Sequence, residues 1–446
     1  MSAAFVLEAS RCTGCEACRV ACCIENQVPM ERAWRTVHHH EGDAGAVGKG
    51  FHLSLACNHC ERPACLAACP SGAYRQDPRT GAVLLDQDTC LGCRCCSWAC
   101  PYDAPRFDGT LGLMAKCTFC NPRLLEGLAP ACAAACPTGA LRVDPQAGAL
   151  PEPEAPGLFP AGIGPRLWLV GPIQGPAPEG LPPLTHEALA WMGGPTPPLP
   201  RIHLRREWSL VLFSSFAPLL VALQAAFLSG GPAQAPPWAF LGLGLLAGFL
   251  STAHLGRPLR ALRALGNLRR SWLSREILAF AIFVPLGALS QFLASRTLGA
   301  VAGVAGLGLL FCMDRLYRSL EWRAGPAEKA DDTLFGGITL ALFALGLPGW
   351  LLLGAAVARS FAFLREQKQA GTQALSGGLA LLRVLLLALP ALAVVLRQPW
   401  PPALLLSLAA GGELVGRGAF YLALRIPDPG ALLKDVRPAA WDPAGT

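Results

Sequence analysis

Cysteine dominates the first third of this sequence. Of its 19 cysteines, 18 lie between Cys12 and Cys136, and Cys312 alone lies beyond. Sixteen of them form four runs of four, in each of which three residues separate the last two cysteines. The first three cysteines are close together in three runs, whereas in the fourth run eleven residues separate the second cysteine from the third. The runs are Cys12, Cys15, Cys18 and Cys22; Cys57, Cys60, Cys65 and Cys69; Cys90, Cys93, Cys96 and Cys100; and Cys117, Cys120, Cys132 and Cys136.

This spacing indicates iron–sulfur clusters. Zinc sites take their four ligands from two separated pairs, whereas three thiolates on a tight loop and a remote fourth cysteine before proline are typical of bacterial ferredoxins. Pro70, Pro101 and Pro137 directly follow the last three runs. Four runs therefore predict four [4Fe-4S] clusters bound by sixteen cysteines, with a set of zinc ribbons as the alternative.

Two cysteines and a histidine triplet remain outside these runs. Replacing Cys96 by Cys95 as a ligand would give a spacing that no other run shows, so we interpret Cys95 and Cys23 as buried neighbours of the ligands. The triplet of residues 38–40 lies in a polar, glycine-rich stretch without cysteines, and we predict no function for it.

The first residues of the sequence indicate the compartment, and so the redox conditions, in which the cysteines lie. The stretch MSAAFVLEASRCTGC has no charged start, no apolar segment of signal length and no twin arginine. We therefore expect the cysteine-rich part to stay in the cytoplasm. Thiols stay reduced there, so metal ligation is expected rather than disulfides.

Composition divides the 446 residues into unlike parts. The sequence is 52% hydrophobic and only 15% charged, which suits a protein partly in lipid, and its long apolar runs begin after about Arg206. We predict an α+β ferredoxin-like domain with four clusters (1–145), fused to an all-α polytopic membrane domain (205–426). A Pro/Gly-rich strap and linker (146–204) joins them, and a tail (427–446) follows. The formal charge of +7 averages over these parts and indicates no nucleic acid.

Apolar runs of spanning length predict about eight transmembrane helices. Six runs lie near 207–229, 237–255, 276–294, 298–316, 377–396 and 402–424. A seventh run, from Thr333 to Leu364, is long for one span, and LPGW at its middle suggests a hairpin between two short spans. With eight spans the arginines and lysines gather on one side, including the six arginines of residues 257–275, whereas seven spans divide them less sharply. The positive side is the cytoplasmic one, and the linker to the cluster domain falls on it.

The order of the cysteine spacings resembles the iron–sulfur subunit of dimethyl sulfoxide reductase, polysulfide reductase and related molybdenum enzymes. The resemblance implies that run one pairs with run four and run two with run three. Nitrate reductases of this family carry Trp at the position of Cys93 and hold a three-iron cluster there, so Cys93 implies four irons. The implied ligand sets are Cys12, Cys15, Cys18 and Cys136; Cys117, Cys120, Cys132 and Cys22; Cys57, Cys60, Cys65 and Cys100; and Cys90, Cys93, Cys96 and Cys69.

The membrane half resembles the anchor subunit of the same family through STAHLGRPLRAL, LSREI and GGELVGRGAFY. The resemblance implies a menaquinol or ubiquinol site, with His254 and Glu276 in proton transfer and Arg257 beside them. Glu276 starts the third span and His254 ends the second, and interfacial capping is the alternative role for both.

Further candidates lie in the same half. Asp314 is a further candidate for proton transfer. Glu413 and Arg417, four residues apart with Tyr421 one turn on, are predicted as an intramembrane ion pair or part of the quinone site. His254 is the only histidine from Arg205 onward, and bis-histidine ligation needs two, so no haem b is expected.

We therefore predict an electron-transfer and anchor chain of a quinone-linked oxidoreductase complex in the cytoplasmic membrane. Its partners would be membrane lipid, quinone and a separate catalytic subunit that alone carries the molybdopterin. A dimethyl sulfoxide reductase-like direction, from quinol to an S-oxide or N-oxide, stands beside a cytoplasmic sulfite:quinone oxidoreductase. A redox sensor or transporter is the alternative outside this class.

Overall fold

The computed structural model describes residues 3–40, 51–147, 162–170, 204–321, 332–370 and 377–423. The chain forms two compact units, divided between Arg201 and Ile202. Most of the predicted strap and the whole predicted tail of residues 427–446 lie outside the described residues.

The first unit holds short strands and short helices. Its three-stranded sheet has the order β8-β1-β9, in which β1 (Ala4–Glu8) pairs antiparallel with β8 (Leu141–Asp144) and parallel with β9 (Leu167–Val170). Three hairpins complete the strands. They are β2 (Thr36–His40) with β3 (Phe51–Leu55), β4 (Tyr74–Gln76) with β5 (Val83–Leu85), and β6 (Arg106–Asp108) with β7 (Leu113–Ala115).

Five helices in this unit follow the cysteine loops. They are α1 (Ala17–Asn26), α2 (Ala64–Ala68), α3 (Cys95–Ala99), α4 (Asn121–Leu125) and α5 (Ala131–Ala134). The core between these elements mixes apolar side chains such as Phe5, Leu141 and Phe119 with the cysteines themselves. The described part of the strap belongs to this unit, because the backbone of Ile163 and Gly164 accepts hydrogen bonds from residues 61 and 62.

Every regular element among the described residues of the second unit is a helix. Its helices are α6 (Leu204–Ser229), α7 (Pro237–Ala253), α8 (Trp272–Phe292), α9 (Arg296–Glu321), α10 (Asp332–Ala344), α11 (Gly349–Ala370), α12 (Gly377–Val395) and α13 (Pro402–Ala423). A 3₁₀ segment, Pro258–Asn267, follows α7 at an angle of 91°. The arginine-rich connection is therefore ordered, and it turns sharply away from the helix before it.

Five of the described helices are long and apolar enough to cross a membrane, and the bent pair of α7 and the 3₁₀ segment makes a sixth if it counts as one span. Helices α10 and α11 are separated at Leu345–Pro348, where the LPGW hairpin was predicted. With 13 residues α10 is about 20 Å long, short of the roughly 30 Å of a bilayer core. A multi-pass helical unit is established, while the count of eight spans remains a prediction.

Candidate functional site

The four cysteine runs fold in the same way. In each run a helix begins just before the third cysteine. That cysteine is the second residue of the helix in every case: Cys18 in α1, Cys65 in α2, Cys96 in α3 and Cys132 in α5. Backbone N–H groups at a helix N-terminus lack partners within the helix and favour negative charge. Cys95 is the first residue of α3, so the shared geometry favours Cys96 as the ligand.

The first cysteine of each run receives a hydrogen bond from the backbone two residues later. The N–H groups of His59, Gly92 and Phe119 lie 3.5, 3.4 and 3.3 Å from the sulfurs of Cys57, Cys90 and Cys117. Gly14 stands in the same relation to Cys12. All four donors have a left-handed backbone, with φ of 68° at Gly14, 43° at His59, 69° at Gly92 and 63° at Phe119. This turn directs the N–H groups towards the sulfurs.

Two of these donors are not glycine, and their side chains stabilise each other. A left-handed backbone costs about 1 kcal/mol or more for a residue with a Cβ. The rings of His59 and Phe119 are stacked, with centroids 4.6 Å apart and planes 7° from parallel, and both residues are fully buried. The stack joins the loops of runs two and four, so packing offsets the local strain.

The thiols lie near one another in the sets that the resemblance implies. Cys57, Cys60, Cys65 and Cys100 line one cavity together with Pro101, Tyr102 and Ile163. Electrostatic interaction joins Cys12 to Cys15, Cys18 and Cys136, and joins Cys22 to Cys120 and Cys132. Cys69 interacts in the same way with Cys93, and Cys96 with both of them. The four thiols of one set therefore surround one cavity, and thiols of two distant runs meet in each of the other three, as a [4Fe-4S] cluster requires.

Burial and positive charge shape the electrostatics of these thiols. Burial raises the pKa of the Cys22 thiol to about 12, so cluster binding would displace its proton. Burial lowers the pKa of the Arg35 guanidinium, but Cys132, Cys18, Cys117 and Cys22 raise it by more, so its pKa lies above the ordinary value. Lys116 is also buried and donates through Nζ to the carbonyl oxygens of Val83 and Cys117. These cations offset the negative charge that bound thiolates would carry.

The histidine triplet lies on β2 beside the first cysteine loop. Nδ1 of His39 is 3.0 Å from Nδ1 of His52, and its Nε2 is 3.4 Å from Oε1 of Glu16. Both rings pack close over Gly14, where a Cβ would lie within about 3 Å of them. Within the described residues no group of three or more His, Cys, Asp or Glu side chains is placed to bind a single metal ion.

In the membrane half, the predicted quinone residues lie at adjoining elements. His254 ends α7, and the exposed Arg257 precedes the 3₁₀ segment. Helix α8 packs against both elements, and Ser271 caps it by accepting a hydrogen bond from the N–H of Ser274. Glu276 follows in the first turns of α8. It is 5% exposed, and its Oε2 has no hydrogen-bond partner among the residues that the structure describes.

Glu276 belongs to a polar cluster built from three helices, which comprises Glu276 of α8, Tyr317 of α9, and Arg417 and Tyr421 of α13. The guanidinium of Arg417 acts electrostatically on Glu276 and on the nearby Asp314. The hydroxyl groups of Tyr317 and Tyr421 are hydrogen-bonded to each other, and Arg417 lies 5.9 Å from the centre of the Tyr317 ring. The structure thus brings Glu276, Arg417 and Tyr421 together, as candidates for one site.

The structure pairs Glu413 with arginines other than the predicted Arg417. Oε1 and Oε2 of Glu413 accept hydrogen bonds of 3.1 and 2.6 Å from Arg359 of α11, and Oε2 lies 3.6 Å from Arg383 of α12. The reason is that α11 and α12 bring two arginines to the glutamate, while Arg417 lies against Tyr317 and Phe420. Glu413 therefore ties three helices together and does not belong to the polar cluster.

Asp314 has a capping geometry. Its two carboxylate oxygens accept the backbone N–H groups of Thr333 and Leu334, at 3.0 and 2.9 Å, at the start of α10. Carboxylates stabilise a helix N-terminus in this way because the first N–H groups have no partner within the helix. Asp314 thus connects α9 to α10.

Several polar residues at these sites were not predicted. Arg359 and Arg383 lie inside apolar stretches. A single charged residue within a membrane span indicates a functional or paired side chain, so this signal could have identified both. Tyr317 lies at the end of an apolar run, where aromatic residues are common. Arg35 and Ser54 have no comparable signal, because only the pairing of distant segments brings them to the cysteines.

Comparisons with known proteins divide the chain in the same way as the fold. Residues 49–146 match the family model described as a 4Fe-4S dicluster domain. Residues 235–323 match the model described as the DMSO reductase anchor subunit (DmsC).

Individual relatives match about a third of the chain. A chain of the anaerobic dimethyl sulfoxide reductase of Escherichia coli strain K12 is 41% identical over 151 residues, which cover 32% of this chain and 72% of that protein. The protein of the same name from Haemophilus influenzae is 37% identical over 150 residues, covering 32% and 73%. The thiosulfate reductase electron transfer subunit PhsB of Salmonella typhi is 38% identical over 135 residues, covering 30% and 70%.

Proposed function

This protein is a member of the family to which that Escherichia coli chain of anaerobic dimethyl sulfoxide reductase belongs, and we propose that it passes electrons between a membrane quinone and a separate molybdopterin subunit. Its second unit matches the anchor subunit of such a complex, so one polypeptide combines the iron–sulfur subunit with its membrane anchor. The observation that supports the proposal is that cysteines of distant runs meet, most completely where Cys57, Cys60, Cys65 and Cys100 line one cavity.

The residues of each set fit a [4Fe-4S] cluster. When bound, such a cluster supplies a carrier that takes up and releases one electron. The four thiols of each set would hold it, and the N–H groups of Gly14, His59, Gly92 and Phe119 donate to the first sulfur of each run. Hydrogen bonds to sulfur and burial are the means by which proteins adjust such carriers.

The polar cluster of the second unit fits a quinone site. Oxidation of a quinol releases two protons with two electrons, so the site needs groups that accept protons at the edge of the membrane. The buried carboxylate of Glu276 has an oxygen without a partner among the described residues, and His254 lies on the neighbouring element. We assign proton transfer to Glu276 and His254, and binding of the quinone head group to Arg417 and Tyr421, with Arg257 at the entrance.

Asp314 receives a different assignment. Both of its oxygens are used by the first turn of α10, so we assign it to holding that helix instead of to proton transfer. The six arginines between residues 257 and 275 favour the cytoplasmic side for this end of the helices and for the iron–sulfur unit.

The experiment is anaerobic purification of the protein from membranes together with its bound partner. We expect about sixteen irons and as many acid-labile sulfides per polypeptide, because each cluster holds four of each. We also expect a copurifying molybdopterin protein and reduction of dimethyl sulfoxide by a menaquinol analogue. Stoichiometric zinc, about eight irons or the absence of a molybdopterin protein would contradict the proposal. Sulfite-dependent quinone reduction would reverse the direction that we propose.

A further inference from the structure

Arg35 is a buried cation among the cysteine sets. It is 1% exposed, and its guanidinium lies 4.5 Å from the centre of the Phe5 ring. Nη1 donates to the carbonyl oxygen and to Oγ of Ser54, at 3.1 and 3.0 Å. Nε and Nη2 are buried and have no hydrogen-bond partner among the described residues. A buried donor without an acceptor is costly, so these two groups indicate an acceptor beside them in the assembled protein.

The charged groups around Arg35 belong to two cysteine sets. The thiols that interact with its guanidinium are Cys18 of one set and Cys132, Cys117 and Cys22 of another. The first set is completed by Cys12, Cys15 and Cys136, and the second by Cys120. The sulfide ions of clusters bound there would be the missing acceptors, because they are negative and close to the same thiols. Arg35 thus faces thiols of two proposed cluster sites.

The hydroxyl group of Ser54 connects Arg35 to Cys18, one of the proposed cluster ligands. Its Oγ is 3.0 Å from Nη1 of Arg35 and 3.3 Å from Sγ of Cys18. Arginine can only donate, so Oγ of Ser54 accepts from it, and the single hydroxyl hydrogen is left to donate to the sulfur of Cys18. Arg35 therefore fixes the direction of a hydrogen bond to a cluster ligand.

We propose that Arg35 sets the reduction potentials of two clusters together, acting directly on both and through Ser54 on the one that Cys18 binds. The inference rests on the cluster assignment proposed above. Reduction adds one electron to a cluster and breaks no bond, so the negative charge of the cluster rises. A fixed cation and a hydrogen bond to sulfur stabilise that added charge. Arg35 therefore raises both potentials, and Ser54 raises one of them.

The test is a redox titration of the anaerobically purified protein, with the reduced clusters followed by electron paramagnetic resonance. Arg35→Gln is expected to lower two of the midpoint potentials and leave the others unchanged, while Arg35→Lys lowers them less. Ser54→Ala is expected to lower only one of the same two. Arg32→Gln is the matched control, because Arg32 is an exposed arginine of the same segment that pairs with Asp108, and it is expected to shift none.

Iron content is measured on every variant. Unchanged potentials in Arg35→Gln with full iron would overturn the inference, and so would an equal shift of all clusters. If Arg35→Gln loses iron, its potentials cannot be compared, and Ser54→Ala becomes the deciding variant because it keeps the cation. Unchanged midpoint potentials in Ser54→Ala would then overturn the inference. Far fewer than about sixteen irons in the unmodified protein would instead contradict the cluster assignment itself.

Discussion

At the scale of single residues, the adjacent cysteines Cys95 and Cys96 differ by one position in helix α3, and this difference distinguishes the proposed ligand from its neighbour. Cys96 is the second residue of α3, as the third cysteine is in the helices of the other three runs, while Cys95 is the first. We expect Cys96→Ser to lose one cluster signal and iron from that cluster, because a hydroxyl is a poor iron ligand. Cys95→Ser is the matched control and should keep the iron of the unmodified protein. Loss of iron in Cys95→Ser alone would show that Cys95 is the ligand instead.

A second residue-scale prediction concerns the buried carboxylate of α8. Glu276→Gln keeps the size of the side chain and removes its ability to take up a proton, and His254→Ala removes the imidazole. We expect each variant to lower quinone-linked turnover by a factor of about 100 or more, the usual contribution of a general base. Iron content and turnover with a soluble artificial electron donor should stay near normal. Normal quinone-linked turnover in both variants would move the site away from these residues.

At the scale of elements, Glu413 holds α11, α12 and α13 together through Arg359 and Arg383. Glu413→Gln leaves two cations without their carboxylate, and breaking a buried pair costs about 3 kcal/mol. We expect a lower midpoint of thermal unfolding in detergent, with unchanged iron content. Arg397→Gln, at an exposed position just beyond the end of α12, serves as the control and should leave the midpoint unchanged. Equal midpoints for Glu413→Gln and the unmodified protein would show that the ion pairs contribute nothing measurable.

The elements of the membrane half were predictable from the apolar runs, and their ends were not. The run predicted from residue 276 is a helix that begins at Trp272, because Ser271 caps a polar first turn that hydropathy does not detect. Arg275 stabilises the same turn by donating to the carbonyl oxygens of Leu268 and Arg269. The break at LPGW was predicted correctly. Proline alone does not explain it, because Pro218, Pro285 and Pro390 lie inside helices, whereas Gly346 at the break has a left-handed backbone with φ of 64°.

At the scale of the whole molecule, the predicted family and the fold class of a ferredoxin-like unit fused to a membrane anchor are confirmed. Local sequence patterns were enough to predict the family and the fold class, because a cysteine loop and an apolar span can each be recognised from a short stretch of sequence. The partners of Glu413 and the surroundings of Arg35 come from segments far apart in the sequence. One sequence without tertiary contacts could not identify them.

Topology gives the prediction at this scale. With α10 and α11 as a short hairpin, the chain crosses the membrane an even number of times, and both ends lie on the arginine-rich side. A reporter fused after Thr446 should then be active only in its cytoplasmic form. The same reporter at the N-terminus provides the control for orientation. Activity of the C-terminal reporter in the periplasm, with a cytoplasmic N-terminus, would show an odd number of spans.

In the proposed cluster assignment, two cysteine sets lie in the sequence between the members of the other two. This arrangement determines the order in which the sets can be completed during synthesis. The inner sets are complete once Cys100 has left the ribosome, whereas the sets that contain Cys12 and Cys22 wait for Cys136 and Cys132. Strand β1 waits in the same way, because its partners are β8 and β9. At ordinary rates of translation the earliest thiols stay without their proposed partners for on the order of ten seconds. On the proposed cluster assignment, the outer sets can therefore be completed only after the inner ones.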